Sequence, residues 1–220
     1  LAAVLTSNEN KVLLIDGDLR RGHLHEYLGI PRDNGLSEFI SGKIPIGEAL
    51  HQTAVPGLTL IPTGAIPPNP AELLLHTRFN NCLSVLTPRF DHIIIDLPRK
   101  LDEITGAGIE QADHLLLVVQ LTVPAVDNAS RLIEILAAEG IDKSRIELVV
   151  NRYRKNMQTC TVEMVEEQLG RKAAALIPSD YSSVHKAIDA GVLLNRKNVV
   201  RAAIHDLAEK LVGVGHAETD

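Results

Sequence analysis

The sequence predicts an α/β protein: a doubly wound, mostly parallel sheet with helices on both faces. Short apolar runs rich in β-branched residues alternate with amphipathic stretches from one end of the chain to the other. The apolar runs show no period-two alternation, the pattern of parallel strands covered on both faces. Such alternation calls for right-handed β-α-β crossovers. The 220 residues, 45% of them apolar, supply a core of the size one such domain needs.

Residues 1–8 (LAAVLTSN) read as the second half of a helix followed by a turn, with no initiating Met and no signal-peptide charge pattern. The expectation is a domain truncated at its N-terminus; a short helix that caps the sheet accounts for the same residues. Predicted strands follow at 11–16 (KVLLID), 58–62 (LTLIP), 92–96 (HIIID), 114–120 (HLLLVVQ) and 145–151 (RIELVVN). Predicted helices lie at 70–86, 126–138, 161–169, 181–190 and 199–212. In the second of these, Val126, Ala129, Ile133, Leu136 and Ala137 share one face while Arg131 and Glu134 lie on another, and Gly140 supplies a left-handed stop. The segment Pro62–Pro70 reads as an ordered loop; Asn69 caps the helix that follows and Pro70 takes its first position. Gly106 and Gly108 (GAG) mark another helix start. No repeat and no low-complexity stretch divides the chain, so residues 1–220 are expected to form a single domain.

Composition excludes several function classes. A net charge of -6 gives no broad electrostatic footprint for DNA, and the absence of Trp with 3% aromatics leaves no base-stacking platform. No run of about 18 apolar residues is present to span a membrane. The two cysteines, Cys82 and Cys160, match no metal spacing and no disulfide framework, which points to a reducing, cytoplasmic setting.

Three features lie where an open α/β sheet puts its chemistry, at the carboxyl ends of strands. Asp16-Gly17-Asp18-Leu19-Arg20 follows the first strand; carboxylates at i and i+2 of an extended segment project to one side and suit a hard cation and an activated water. Surface aspartates in a turn account for the same residues. Asp96 ends IIID with the pattern of a Walker B aspartate, which holds Mg²⁺ while the metal bridges β- and γ-phosphates. Asn151-Arg152 ends a late strand, and Ile177-Pro178-Ser179-Asp180 follows; an Asn there offers both a donor and an acceptor to a purine edge, or simply caps a turn while Pro178 ends a strand. His23 and His25, two apart on a helix, point two ways and make a poor metal pair.

Taken in order, LLIDGDLR, IIIDLP, VVNR and IPSD, followed by an AxxxG turn and a terminal amphipathic helix, resemble the MinD/ParA group of P-loop ATPases over essentially the full chain. The resemblance implies a P-loop nucleotide hydrolase fold with ATP and Mg²⁺ as cofactors and a homodimer formed around nucleotide. It also implies a phosphate loop ahead of the segment at Leu1, since no GxxxxGK[ST] occurs in these residues; alone they are expected not to bind ATP tightly. Carried over by position, Asp16 orients or deprotonates the nucleophile, Asp18 lies near Mg²⁺, and Asp96 holds Mg²⁺ through water. Asn151 and Arg152 contact adenine, with Pro178 and Asp180 closing that pocket. Arg20 and Arg21 contact phosphate or a neighbouring subunit, or form a solvated basic pair.

Within the group, LLIDGDLRRGHLHEYLG, GLSEFISG and PPNPAELL are similar to the bacterial tyrosine autokinases of exopolysaccharide export. The second half, with ADHLLLVVQ, VVNRYRKN and VEEQLGRK, looks more like the CpaE/TadZ ATPases of Flp-type pilus assembly. The tail at 213–220 has no Tyr, and Tyr27, Tyr153 and Tyr181 are dispersed, which favours the pilus family. The expectation is an ATP-hydrolysing switch partnered by pilus or secretion machinery, with no nucleic acid and no direct membrane insertion. The terminal helix sets Arg201 and Lys210 against Asp206 and Glu209 and so lacks a basic membrane face; contact with the inner face of a membrane would come through partners. The alternatives are a protein-tyrosine autokinase and a degenerate, non-enzymatic scaffold.

Overall fold

The computed structural model describes residues 1–65, 77–98, 103–156 and 160–214. They fall into two compact units, Leu1–Gln111 and Ala112–Asp220. Both are mostly parallel sheets with helices, as the alternating pattern predicts.

In the first unit the strand order is β2-β3-β1-β4, where β1 is Val12–Asp16, β2 His51–Gln52, β3 Leu58–Ile61 and β4 His92–Asp96. Strand β1 lies between β3 and β4 and is parallel to both, while β2 is a two-residue antiparallel edge on β3. Val12, Leu13 and Ile15 are all inaccessible, so the continuous apolar run is buried on both faces. The register pairs Val12 with His92 and carries through to Asp16 beside Asp96. Helix α1 (Ala2–Leu5) lies where the sequence predicts helix. Helices α2 (Leu24–Tyr27), α3 (Leu36–Ile40) and α4 (Ile46–Ala49) escape sequence reading because about one turn is too short to show a 3.6-residue period. Helix α5 (Thr77–Leu86) is the described part of the predicted 70–86 helix; the Pro67–Pro70 start and its Asn69 cap lie outside the described residues. Phe79, Cys82, Leu83 and Leu86 from α5 meet Leu36, Phe39 and Ile40 from α3 over Leu13 and Ile15. Each such side chain contributes roughly 1.5–3 kcal/mol through burial. Gly106 and Gly108 lie inside α6 (Glu103–Gln111) rather than at its start; Gly108 is buried, and a Cβ there would come 3.2 Å from the Leu97 side chain.

The second unit is a parallel sheet of order β5-β6-β7, with β5 Leu115–Val119, β6 Ile146–Tyr153 and β7 Ala173–Pro178. Helix α7 (Val123–Ala138) buries Val126, Ala129, Ile133 and Leu136, the predicted face. It starts three residues earlier than expected because Pro124 in its first turn has no N–H to lose there. Past its end, Gly140 has φ +81° while Ile141 N–H donates to Leu136 O and Gly140 N–H to Ala137 O, a Schellman stop. Helix α8 (Val162–Leu169) is capped by Thr161 Oγ1, which accepts from Met164 N–H at 3.3 Å. Helices α9 (Tyr181–Asp189) and α10 (Val199–Val214) complete the unit; Val200 and Leu207 of α10 bury against Val149 and Ile177. Strand β7 bears out the plainer reading of Pro178 as the end of a strand; its run of three alanines has weak strand propensity, and pairing with β6 supports it. Among the described residues, no helix is long and apolar enough to cross a membrane.

The segment after β3 is clamped to α3. Leu36 N–H donates to Pro62 O at 2.7 Å, Ser37 N–H to Thr63 O at 3.0 Å, and Arg32 Nε–H to Gly64 O at 2.9 Å. Glu38 accepts from Gly35 N–H and from Ala65 N–H, and the Ser37 hydroxyl donates to Ala65 O. Burial works against the Glu38 charge, but the Ala65 and Gly35 N–H groups outweigh it and hold that carboxyl below its ordinary range. A Cβ on Gly35 would lie 2.2 Å from Gly64 N and 2.3 Å from Pro62 O, both backbone atoms that cannot yield without breaking the clamp. Gly35→Ala is therefore expected to cost about 3 kcal/mol in urea denaturation. Gly47→Ala in α4, where a methyl meets open space, should be neutral or stabilising by up to about 1 kcal/mol.

Candidate functional site

Asp16 closes β1 with its side chain fully buried. Its Oδ2 accepts from Leu24 N–H at 3.1 Å, while Oδ1 is buried with no hydrogen-bond partner among the described residues. The neighbouring backbone is as tight as the sequence Asp-Gly-Asp suggests. Gly17 N–H donates to Asp96 O at 2.9 Å, and a Cβ on Gly17 would lie 2.8 Å from that same oxygen. Only glycine lets the chain leaving β1 pass this close to the end of β4. The turn is then pinned by Leu19, 1% exposed in the core, and by Asp18 Oδ1, which accepts from Arg20 N–H and Arg21 N–H at 3.2 and 2.9 Å.

Asp96 opens to solvent at the same carboxyl edge, yet the surrounding chain still displaces water from it. Burial raises the Asp96 carboxyl above its ordinary range, and the charges of Asp16 and Asp18 raise it further. Asp16 is raised too, chiefly by burial, with the Leu24 N–H, the Thr63 hydroxyl and the Asp18 N–H opposing and the Asp18 charge adding. The three carboxylates thus form a concentrated negative site. The buried, unpartnered Asp16 Oδ1 and the mutual repulsion suit a divalent cation and its waters, so these residues fit Mg²⁺. Asp18 and Asp96 would hold it, with Asp16 beside.

Two residues at this site were not foreseen. Thr63, fully buried, sits two residues beyond β3 with Oγ1 facing Asp16. Gly22 lies against both side chains: a Cβ there would come 1.8 Å from Thr63 Oγ1 and 2.6 Å from Asp16 Oδ2. The signal for Thr63 existed, since it follows a predicted strand at the edge where the aspartates lie; Gly22 had none. His23 stands just outside α2 rather than within it, so its Nδ1 and the His25 Nε2 both approach Glu26 Oε1, at 3.3 and 3.9 Å, instead of diverging.

In the second unit, pairing of β6 with β7 brings the 151–152 and 178–180 segments together. Asn151 Oδ1 accepts from Arg152 N–H at 2.8 Å, and Arg152, exposed, adopts a left-handed φ of 55° where the β6–β7 register shifts. For a residue with a Cβ this conformation carries strain, a frequent mark of functional segments. Pro178 ends β7 opposite Tyr153, and Ser179 N–H donates to Tyr153 O. Asp180 caps α9 through Oδ1 to Ser183 N–H at 3.1 Å, and its Oδ2 accepts from Asn198 Nδ2 at 2.9 Å. Bonds from Ser183 and then Asn198 hold its carboxyl below the ordinary range.

An AAA-domain family model matches residues 1–150. The tyrosine-protein kinase Ptk of Acinetobacter johnsonii is 40% identical over 119 residues, 54% of this chain and 16% of that protein. Wzc of Salmonella typhimurium, also a tyrosine-protein kinase, is 40% identical over 125 residues, 56% of this chain and 17% of that one. The chain thus matches about a sixth of the length of these relatives. The septum site-determining protein MinD of Pyrococcus horikoshii, solved with Mg-ADP, superposes on all of this chain and 90% of its own with a TM-score of 0.83 at 20% identity. The chain belongs to the AAA-domain family, in the form of a MinD/ParA-type P-loop ATPase fold with sequence kinship to bacterial tyrosine kinases.

Proposed function

We propose that this chain supplies the carboxylates of an ATP-binding, ATP-hydrolysing switch of the MinD/ParA class. The observation that carries the reading is the β1–β4 register, which sets Asp16 beside Asp96 at one carboxyl edge with Asp18 two residues on. Mg²⁺, held near Asp18 and through water by Asp96, would supply positive charge that neutralises the phosphates. The chain's own contribution is positional. Asp96 would hold the metal through water and Asp18 would lie near it, while Asp16 orients the attacking nucleophile and accepts its proton at the carboxylate. In the second unit, Asn151 and Arg152, with Pro178 and Asp180 beside them, meet a nucleobase edge. Because the Asp180 oxygens are committed to the α9 cap and Asn198, its part is to hold that edge in shape.

As a switch, the protein would dimerise around nucleotide and act in the assembly and localisation of a Flp-type pilus or secretion apparatus at the cytoplasmic side of the membrane. The order of the VVNR and IPSD segments supports this. A second reading, phosphoryl transfer to tyrosine in exopolysaccharide export, is favoured by the 40% identity to the two kinases. Tyr27 and Tyr181 are exposed and Tyr153 half-buried, so acceptors exist for it. Labelled Mg-ATP given to a protein carrying a phosphate loop ahead of Leu1 separates them. Free phosphate with little label on the protein supports the switch; stoichiometric phosphotyrosine, lost in Asp16→Asn, establishes the kinase. Neither product leaves a scaffold.

In that protein, Asp96→Asn is expected to lower turnover about 10–100-fold, because the metal's water shell loses a charged partner. The same substitution has an opposite sign for stability. With folded carboxyls raised above their unfolded values, the folded chain keeps protons that the unfolded chain releases, so stability falls as pH rises from the ordinary carboxylate range through the raised values. Thermal melts of the nucleotide-free chain between pH 4 and 8 should show Asp96→Asn melting higher than wild type at pH 7.5 and with a shallower decline. A lower melting point at pH 7.5 would refute the account of uncompensated charge.

A further inference from the structure

We propose that Thr63 is a positioning residue for Asp16: its hydroxyl donates a hydrogen bond to the Asp16 carboxylate and fixes the rotamer in which that carboxylate faces the site. The contact is inferred from the burial and juxtaposition of the two side chains, while its functional meaning rests on the phosphoryl-transfer reading above.

The Thr63 backbone is held before its side chain acts. Ser37 N–H donates to Thr63 O at 3.0 Å, and the flanking Pro62 and Gly64 carbonyls accept from Leu36 N–H and Arg32 Nε–H. A β-branched side chain on a fixed backbone has few χ1 choices, so Oγ1 is delivered to one place. That place is beside Asp16. The point where a Cβ on Gly22 would sit is 1.8 Å from Thr63 Oγ1 and 2.6 Å from Asp16 Oδ2, so hydroxyl and carboxylate border one another across this glycine. Both residues are fully buried. Oδ2 takes the Leu24 N–H, whereas among the described residues Asp16 Oδ1 and Thr63 Oγ1 are buried with no hydrogen-bond partner. An ionised carboxylate can only accept, and a hydroxyl proton turns freely to suit its acceptor. Donation from Thr63 to the carboxylate therefore gives its buried hydroxyl an acceptor. It leaves the outer lone pairs of Asp16 for the nucleophile.

The test uses the 220-residue chain without nucleotide. Thr63→Val, Asp16→Asn and the double variant are compared by urea denaturation as a double-mutant cycle, with Thr63→Ala repeating the comparison should the valine not fold. The expected result is non-additivity of at least about threefold in the unfolding equilibrium constant. Amide hydrogen exchange reads the same contact locally. In Thr63→Val, Leu24 N–H should exchange at least about tenfold faster while the β1 amides keep their protection; Thr63→Ser, which restores the hydroxyl, should return Leu24 to the wild-type rate. An additive cycle with Leu24 exchange unchanged overturns the proposal. Since neither measurement involves nucleotide, absence of phosphoryl transfer in the looped protein would count against the proposed function alone.

Discussion

The structure of the first unit depends on one constraint, the register of two buried parallel strands. Residues 12–16 of β1 run beside 92–96 of β4 with no offset, so their last residues, Asp16 and Asp96, end level with each other. Side chains alternate across a sheet with period two, so a slip by one residue would turn Leu13 and Ile15 out of their cluster with Phe79 and Leu86. The apolar core thereby selects the register, and the register selects the distance between carboxylates. The site is a by-product of packing in this sense: the residues that hold the acids together are not themselves polar.

That placement runs against electrostatics. Desolvation and like charge both raise Asp16 and Asp96, and the nearby donors only partly oppose them. A fold gains nothing in stability from such an arrangement, whereas a bound divalent cation would convert the repulsion into coordination. The contrast with Glu38 is instructive. It too is partly buried, but it faces the N–H groups of Gly35 and Ala65 and the Ser37 hydroxyl, and its carboxyl is lowered. Glu38 is satisfied by the chain and serves the fold; at the sheet edge Asp96 is exposed, and Asp16 is buried with its Oδ1 unpartnered among the described residues.

Glycine at two positions makes this geometry reachable. At Gly17 and Gly22 a methyl would strike, respectively, the Asp96 carbonyl and the Thr63 and Asp16 side chains. The chain leaving β1 therefore folds back over its own last residue with only hydrogen between backbone and carboxylate. In the second unit the counterpart is strain: Arg152 takes a left-handed conformation at the β6–β7 irregularity, with its N–H answered by Asn151 Oδ1. Asp180, which the sequence alone would send to a ligand, is already spent on the α9 cap and Asn198.

What the sequence by itself determined is the set of elements whose signals are local. Continuous apolar runs identified β1, β3, β4, β5 and β6 within one or two residues, except that β6 continues to Tyr153. The apolar stripe and Gly140 marked α7, and strand-end acids marked Asp16, Asp18 and Asp96, because burial on both faces and a polar terminus leave a readable trace in consecutive residues. What only tertiary structure decided are features set by neighbours far away in the chain. The alanine-rich β7 is a strand because β6 pairs with it; Gly106 and Gly108 lie within α6; Thr63 and Gly22 meet Asp16 because α3 clamps the end of β3. No local pattern encodes an approach between residues 16, 22 and 63. It arises where three separately placed backbones are forced together by a core that tolerates no other spacing.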